Sequence, residues 1–557
     1  MNRIKCLIQK YYTHFENAKG HFPEIAVLCS YIMLLSVFMY FHEPWYDEAQ
    51  AWLIARDASW HDMLFLIPHY EGHPPMWYVI LAVFAKSGLD FDLTIKCLTL
   101  VINTFAMFLL LFRSPFPRLV RCLLPFTYFL FYQHGVICRP YSMLLVGFLL
   151  AACFYKERNE KPFRLVLSLM LMCASSAYGI IFAGGITLSW LWELREGKNA
   201  RNYIVSLLSG KRFFAFLALL LFALVNIAAI LPRNDTFAAS YGLSGNNSVL
   251  VRLLYMYFAS IADATCFSSF EDYNELRYVW FSIPKLIIGC LIGIAILFLI
   301  YHFGKKCKTL SLFVIPYFLF ATFSGIVYFY LQHIDVLLQF VLFWAWVSFK
   351  EYRPNHADRT EEQFVLRHAK ALLIFGVCSS LAVSIWWNVS ACINEVRYQY
   401  GFSQQLATFL DNHGLTEYGI MVRWQQLTDE NGKVIYNNTN QTVNGVALNA
   451  YYDKNIVINM NGGLPDMTYV THRIPSLEEN EAVLQSWKEA GMPAITLDRC
   501  QLKSLFPEYR DVYIECYTDV LFLPEYHLWK SGYTYSKHHL YVRNDIARKH
   551  FFSKSIS

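Results

Sequence analysis

Apolar runs long enough to enter a membrane recur along this chain between residues 23 and 388. Eleven of these runs are candidate spans, and they lie at 23–41, 94–112, 122–138, 141–155, 163–178, 179–194, 212–231, 282–303, 309–330, 334–349 and 370–388. Several are shorter than the roughly 20 residues that a helix perpendicular to a bilayer needs. Because only helices and closed barrels can span a bilayer, the sequence predicts an α-helical polytopic membrane protein with about eleven spans.

The composition agrees with a chain that lies mostly in a bilayer. Hydrophobic residues make up 56% and charged residues 16% of the 557 positions, whereas soluble domains carry about 25% charged residues. The net charge of +5 comes from lysines and arginines between apolar runs, which indicates loop bias and argues against a nucleic-acid partner. The fourteen cysteines include no CxxC pair, so no metal or redox framework is predicted.

Loop charge predicts the orientation in the membrane. Six basic stretches lie near residues 3–10, 113–121, 156–164, 195–212, 305–308 and 350–370. The positive-inside rule places all six in the cytoplasm, provided that the short apolar piece at 75–86 lies at the outer surface and does not cross. The N-terminus is then cytoplasmic, and two long outer loops cover 42–93 and 232–281. The location that we expect is the inner (plasma) membrane of the cell.

With an odd number of spans, residues 389–557 form a soluble extracytoplasmic domain, separate from the membrane domain of residues 1–388. Short β-branched runs and amphipathic stretches predict a modest α/β fold. The predicted strands and helices lie at 420–422, 456–458, 512–514, 402–410, 476–490 and near 500. Cys500 and Cys516 either pair in an oxidising compartment or stay as two buried thiols.

A vicinal carboxylate pair stands just past the first apolar run. Asp47 and Glu48 follow Trp45 and Tyr46, and the string His73-Pro74-Pro75 comes 25 residues after Glu48. Ionisable side chains near lipid are costly and are functional candidates by default. From spacing alone, however, Asp47 could simply cap a helix that starts at residue 49, and the histidine could be incidental to a turn.

The segments WYDEAQAWLIARD and HYEGHPPMWYVIL resemble the first external loop of the GT-C class of membrane glycosyltransferases, which includes the protein O-mannosyltransferases and the bacterial aminoarabinose transferases. The part of the chain that carries these motifs is about the first 145 residues. A weaker similarity, in topology alone, extends as far as about residue 390. The resemblance implies transfer of a hexosyl or pentosyl group from a polyprenyl-phosphate carrier (dolichyl or undecaprenyl) to an external lipid, polysaccharide or protein acceptor.

The resemblance also implies roles for residues of the first loop. Asp47 matches the general base, which takes the proton of the acceptor hydroxyl as the new bond forms; a single displacement of this kind inverts the anomeric centre. Glu48 would orient acceptor or sugar hydroxyls. His73 would bond the carrier phosphate or a sugar hydroxyl, with Glu71 beside it. Arg56 either faces the phosphate or pairs with a neighbouring acid.

Two further positions lie at outer ends of predicted spans. Arg139 and Tyr141, in HGVICRPYSML, look like the family's Arg-x-Tyr position, where a guanidinium suits a phosphate; the alternative is an arginine that snorkels to headgroups. His333 lies in the turn YLQHID, where related chains often show an Arg-His pair. Here Gln332 stands in place of the arginine, so His333 either acts alone or is an unpaired turn histidine.

The sequence leaves the cofactor and the function class open. The Asp-Glu pair together with an acid of loop 232–281 could hold a divalent cation, but no spacing requires one. A transporter or flippase of lipid-linked sugars is the main alternative to an enzyme, and a non-catalytic envelope scaffold is the third hypothesis. Transporters carry ionisable residues near the midplane within inverted repeats; here the notable charges cluster at the outer surface, which favours the glycosyltransferase.

Overall fold

The structure, a computed structural model, is predominantly helical. It describes the ranges 15–17, 19–195, 199, 203, 210–236, 245–271, 275–352, 363–398, 401–422, 427–428, 434–436, 445–458, 468–473, 476–497, 506, 508, 512–524 and 533–552. Within these ranges, the strands are confined to the part of the chain that follows the last apolar helix.

Seven helices are long and apolar enough to cross a membrane. They are Phe22–Phe41, Phe91–Arg113, Ala177–Arg195, Gly210–Ile230, Ile283–Cys307, Leu331–Glu351 (which begins with a 3₁₀ turn, Leu331–Ile334) and Ile374–Arg397, the latter part of helix Gln363–Arg397. Large apolar side chains on these helices stay more than half exposed, among them Val101, Leu224, Leu291 and Phe375. Contiguous exposed apolar surface of this kind marks contact with a membrane, so the chain is a helical, multi-pass membrane protein.

The four remaining predicted spans are short or broken helices. They correspond to Arg118–Leu123 with Leu124–Phe126 and the π-helix Phe129–Val136, to Tyr141–Phe154 with Tyr155–Glu157, to Pro162–Ser175, and to Leu310–Ile326. Helix Pro162–Ser175 is separated from helix Ala177–Arg195 by Ser176, whose backbone is extended. This break lies two residues before the end of the predicted span 163–178. Each of these helices is shorter than a perpendicular span requires, so the count of eleven stays a prediction.

The first outer loop folds into helices of its own. These are Tyr46–Asp57, Asp62–Leu66 (π-helical), Pro68–Glu71 and Met76–Ala85. The last has ten residues and is therefore roughly 15 Å long, about half of the hydrocarbon thickness. It packs on Tyr46–Asp57 and buries Trp77 and Tyr78. This length suits a segment that lies at the surface, which stays a prediction.

The second outer loop packs tightly on the helix that follows it. Its described helices are Val249–Leu254, Tyr255–Ala259 (π-helical) and Ser260–Asp263. A Cβ at Gly293 would lie 1.6 Å from the carbonyl oxygen of Phe258. Only glycine permits this approach of the two backbones, which ties the loop to helix Ile283–Cys307.

The C-terminal part contains a mixed five-stranded sheet. In the order β4-β1-β5-β7-β6, its strands are β1 (Ile420–Met421), β4 (Val457–Ile458), β5 (Ile495–Thr496), β6 (Tyr513–Pro524) and β7 (Tyr533–Arg543), while β2 (Leu427–Thr428) and β3 (Val434–Tyr436) pair separately. β1 runs parallel to β4 and β5, and β7 runs antiparallel to β5 and β6. The helices described in this part include Ser403–Asn412, Leu477–Ala490, Asn544–Ala547 and the π-helix Arg548–Phe552.

This architecture agrees with the predicted α/β character of the tail but differs in detail. Strands β2, β3, β5 and β7 were not predicted, although β7 is one of the two longest described strands. The helix that contains the last apolar run ends at Arg397, nine residues beyond the predicted domain boundary at 388. Cys500 and the helix predicted near it lie outside the described residues, so a disulfide with Cys516 stays a prediction.

Adjacent glycines allow a test of the packing between two membrane helices. A Cβ at Gly185 would lie 2.5 Å from Cα of Pro316, whereas a Cβ at Gly184 would meet nothing within 4 Å. We expect Gly185→Ala to destabilise the protein by about 1–3 kcal/mol through overpacking, and Gly184→Ala to be neutral or stabilising because alanine favours helices. Thermal unfolding in detergent measures both variants; equal Tm values would contradict the close contact.

Candidate active site

The carboxylate of Glu48 anchors the start of the first outer helix. The helix begins at Tyr46, and Glu48 accepts hydrogen bonds from the backbone N–H of Trp45 at 3.0 Å and from that of Cys138 at 2.6 Å. Glu48 thus satisfies an N–H group that the helix start leaves without an intrahelical partner. Asp47 lies inside the first turn, so the alternative in which Asp47 caps a helix starting at residue 49 is wrong.

Glu48 also belongs to a buried ionic network. Nε2 of His42 lies 3.2 Å from Glu48, and Nδ1 of His42 lies 2.9 Å from Glu395 on the last membrane helix. Burial alone would lower the pKa of His42, but the two carboxylates raise it to about 10. The Glu48 side chain is fully buried and bonded, and it does not line the cavity beside Asp47, so its predicted role in orienting hydroxyls gains no support.

A polar cavity of about 200 Å³ opens beside Asp47. It is lined by Tyr46, Asp47, Gln50, Ala51, Tyr70, Glu71, His73, Trp77, Tyr78, Arg139, Pro140, Tyr328, Gln332, His333 and His472. Five of the eight predicted site residues therefore line one cavity: Asp47, Glu71, His73, Arg139 and His333. They come from the first loop, from the turn before helix Tyr141–Phe154, and from the 3₁₀ turn Leu331–Ile334.

Asp47 and Arg139 form an ion pair on the wall of this cavity. Nη1 of Arg139 lies 3.1 Å from Oδ2 of Asp47, and the two side chains keep 16% and 25% of their surface exposed. Burial raises the pKa of Asp47 above its ordinary value, and the guanidinium of Arg139 opposes this rise. The pair thus combines a carboxylate of raised basicity with a planar cation that can bind oxyanions.

His73 and His333 line the same cavity, whereas Tyr141 contacts both of them without lining it. The Tyr141 hydroxyl lies 3.4 Å from Nε2 of His333, and the Tyr141 ring also contacts the His73 ring edge-on. Burial lowers the pKa of His73 to about 4, and Arg139 adds to the effect. His73 is therefore neutral at physiological pH. Its Nδ1 is buried and has no hydrogen-bond partner among the described residues.

Like Glu48 and Tyr141, Arg56 is a predicted site residue that does not line the cavity. It pairs with Asp57 at 2.8 Å and donates to the carbonyl oxygen of Tyr452 at 2.7 Å. Nine residues separate it from Asp47 on one helix, so the two side chains point in roughly opposite directions and lie roughly 13 Å apart along the axis. Arg56 therefore pairs with a neighbouring acid, as one of the two alternatives predicted, and it does not line the cavity.

His472, which was not predicted as a site residue, reaches the cavity from the C-terminal part. Its Nδ1 lies 2.8 Å from Oε1 of Glu71, and its Nε2 lies 2.8 Å from the hydroxyl of Tyr46. It stands about 400 residues away from both in a segment without a motif. No local pattern could have revealed it, because only the docking of the two parts of the chain brings it to the cavity.

A divalent cation needs several oxygen ligands close together. The described residues contain no group of three or more His, Cys, Asp or Glu side chains that could hold a metal ion. Asp47 is paired with Arg139, and Glu48 is paired with His42. Each member of the predicted Asp-Glu pair therefore already has a cationic partner. The Asp47 side chain lines the cavity, whereas the Glu48 side chain is buried beside His42.

Comparisons with known proteins give no relative. No protein-family model, no curated protein and no solved structure matches the chain. What the cavity can do therefore follows from its own residues: it offers two carboxylates, one guanidinium, three imidazole groups and four tyrosines.

Removal of the His42 imidazole tests the buried network. In His42→Ala, Glu48 and Glu395 would be buried without their cation, so we expect a loss of about 3–5 kcal/mol at pH 7. The folded-state pKa of His42 is raised to about 10. Its contribution is therefore full below its unfolded pKa of about 6.5 and is lost as the pH rises through 10.

Thermal unfolding between pH 6 and 10.5 measures this effect. His61→Ala is the matched control, because the His61 side chain is 78% exposed. The Tm gap between wild type and His42→Ala should narrow toward pH 10.5; a gap that is absent at pH 7 would contradict the network.

Proposed function

We propose that this protein is a GT-C-type membrane glycosyltransferase that moves a sugar from a polyprenyl-phosphate carrier to an external cell-envelope acceptor. The observation that carries the proposal is the Asp47–Arg139 pair on the wall of a polar cavity, just past the end of the first apolar helix. Displacement at a sugar phosphate needs a base for the acceptor and positive charge for the leaving group. This pair supplies both in one place.

The proposed topology has eleven spans, with the N-terminus in the cytoplasm and the C-terminal part outside the inner (plasma) membrane. Seven long apolar helices and the four shorter helical segments occupy all eleven apolar runs. Cytoplasmic placement of the six basic stretches then follows the positive-inside rule. The cavity would lie at the outer membrane surface, where a lipid carrier can present its phosphate while its tail stays in the bilayer.

In the proposed complex, Arg139 binds the carrier phosphate. A guanidinium presents its N–H groups in a fork that matches phosphate oxygens. His73 and His333 line the same cavity, and neutral His73 can donate one hydrogen bond to a phosphate or a sugar hydroxyl. Gln332 adds no charge, so Arg139 is the one guanidinium among the residues that line the cavity.

The proposed reaction is a single inverting displacement. The acceptor hydroxyl oxygen attacks the anomeric carbon, its proton passes to the Asp47 carboxylate, and the bond between that carbon and the phosphate oxygen breaks. The electron pair leaves on the phosphate, whose second negative charge Arg139 stabilises. Arg139 is then shared between Asp47 and the phosphate, so substrate entry weakens the ion pair and frees Asp47 to act as a base.

A transporter or flippase of lipid-linked sugars is the second candidate. The pair of His134 and Asp335 favours it, since these side chains lie 3.0 Å apart and are almost fully buried, and ionisable groups within a bundle can mark a transport pathway. However, His134 lies in the last turn of helix Phe129–Val136 and Asp335 in the first turn of helix Asp335–Glu351. On the proposed topology both lie near the outer end of the bundle, away from the midplane position expected of a transport site.

The first test is transfer by the purified protein in nanodiscs, supplied with radiolabelled polyprenyl-phosphate sugars and an envelope extract. We expect label to move to an extract component with wild type, and Asp47→Asn to lose about 100-fold or more because the base is removed. Asp62→Asn is the matched control, because Asp62 lies in the same loop but does not line the cavity.

Equal transfer by wild type and Asp47→Asn would contradict the role of Asp47. Movement of the intact donor across vesicles, without transfer to any acceptor, would instead support the flippase.

The pH dependence of transfer tests the Asp47–Arg139 pair. Burial raises the pKa of Asp47, and the base must be ionised, so kcat/KM should fall as the pH drops through this raised pKa. Because Arg139 lowers the pKa of Asp47, Arg139→Gln should shift this acidic limb to higher pH. Arg56→Gln is the control. If the acidic limb of the pH profile does not move in Arg139→Gln, the proposed effect of Arg139 on the pKa of Asp47 would be contradicted.

A further inference from the structure

The C-terminal part docks on the first outer loop beside the cavity. The side chain of Gln50 donates to the carbonyl oxygen of Val470 at 2.6 Å and accepts from the N–H of Val470 at 3.0 Å. Arg473 forms an antiparallel bridge with Thr236 of the second outer loop. Segment 468–473, named here the docking segment, is thus held by both outer loops of the membrane part.

His472 is the residue of the docking segment that lines the cavity. Its backbone has a φ of +50°, a value that is uncommon outside glycine, although asparagine, aspartate and histidine adopt it more often than other residues. In this conformation the imidazole bridges Glu71 and Tyr46, at 2.8 Å from each. Local backbone strain of this kind persists where the surrounding structure fixes it, and it clusters at functional sites.

The bridge holds Glu71 in one orientation. Oε1 of Glu71 receives hydrogen bonds from His472 and from Gln50 at 3.0 Å, and Oε2 receives none from the described residues. Burial would raise the pKa of Glu71, but His472 and Gln50 lower it. Glu71 is therefore an ionised carboxylate that lines the cavity with one oxygen available to accept hydrogen bonds.

The surroundings of Glu71 suit a polyhydroxylated ligand. Tyr46, Tyr78 and Trp77 line the same cavity, so the carboxylate is accompanied by flat rings and by groups that can donate and accept hydrogen bonds. An anionic phosphate would be repelled by Glu71 and attracted by Arg139. The cavity therefore has a positive charge at Arg139, which suits a phosphate, and a negative charge at Glu71, which suits hydroxyl groups.

We propose that His472 is a positioning residue that holds Glu71 to accept hydrogen bonds from hydroxyls of the transferred sugar, so that the C-terminal part completes the sugar-binding site. This inference rests on the proposed function. It assigns the sugar to the Glu71–His472 wall and leaves the phosphate to Arg139. It also gives the C-terminal part a direct role in the site.

Binding measurements on the full-length protein in nanodiscs test this division. The probes are undecaprenyl phosphate, which has no sugar, and whichever undecaprenyl-phosphate hexose or pentose wild type binds most tightly. Glycine accepts the positive φ. We expect His472→Gly to weaken binding of the sugar-bearing probe about tenfold or more, because Glu71 loses the hydrogen bond from His472 that holds it in place. Affinity for undecaprenyl phosphate should not change.

Two further variants separate positioning from folding. Asparagine tolerates the left-handed conformation and keeps an N–H donor, so His472→Asn should recover part of the affinity for the sugar-bearing probe. Glu71→Gln should reproduce the loss seen in His472→Gly. His539→Ala, a change in strand β7 away from the cavity, is the control. In transfer assays, His472→Gly should raise KM for the donor more than it lowers kcat.

The outcomes distinguish the inference from the proposed function. If wild type binds the sugar-bearing probe and His472→Gly binds it equally well, the inference is overturned and the glycosyltransferase stands. If His472→Gly weakens binding of both probes equally, His472 only supports the fold of the cavity, and the inference is again overturned. If wild type binds neither probe, the proposed function fails, and the inference fails with it.

Discussion

The buried carboxylate of Glu48 fixes the arrangement on which the candidate site depends. It joins the start of helix Tyr46–Asp57 to His42 at the end of the first membrane helix and, through His42, to Glu395 on the last. Neighbouring residues on a helix project about 100° apart. Once Glu48 faces the interior of the bundle, Asp47 must project elsewhere, and the structure shows that it projects to the cavity. Of the two neighbouring acids, Glu48 thus supports the structure, and Asp47 is the candidate for chemistry.

The same geometry explains why the sequence predicted part of the site and missed the rest. Motifs with short spacing, such as the Asp-Glu pair and His73-Pro74-Pro75, mark residues that local structure brings to one surface. They do not reveal which of two adjacent acids is buried, because that depends on His42 and Cys138. The choice between the two alternatives for Arg56 had to stay open for a related reason: it shares a helix with Asp47 but lies on the opposite face. Both questions depend on rotation about a helix axis.

Long-range contacts account for the remaining differences. The apolar runs predicted the positions of the membrane helices well, since burial in lipid imposes length and hydrophobicity directly on the sequence. The C-terminal strands are short, and only some of them carry a local signal. His472 has none at all, because its position depends on the docking of segment 468–473 against Gln50 and Thr236. A site assembled from two parts of a chain is visible only when both parts are folded together.

The central claim is that Arg139 receives the phosphate of a lipid carrier beside Asp47. An experimental structure of the protein in nanodiscs with bound undecaprenyl phosphate tests this most directly. The account predicts phosphate oxygens within hydrogen-bonding distance of the Arg139 guanidinium, a longer distance between Asp47 and Arg139, and a lipid tail that leaves the cavity toward the bilayer. A lipid phosphate bound elsewhere, with the Asp47–Arg139 pair unchanged, would contradict it.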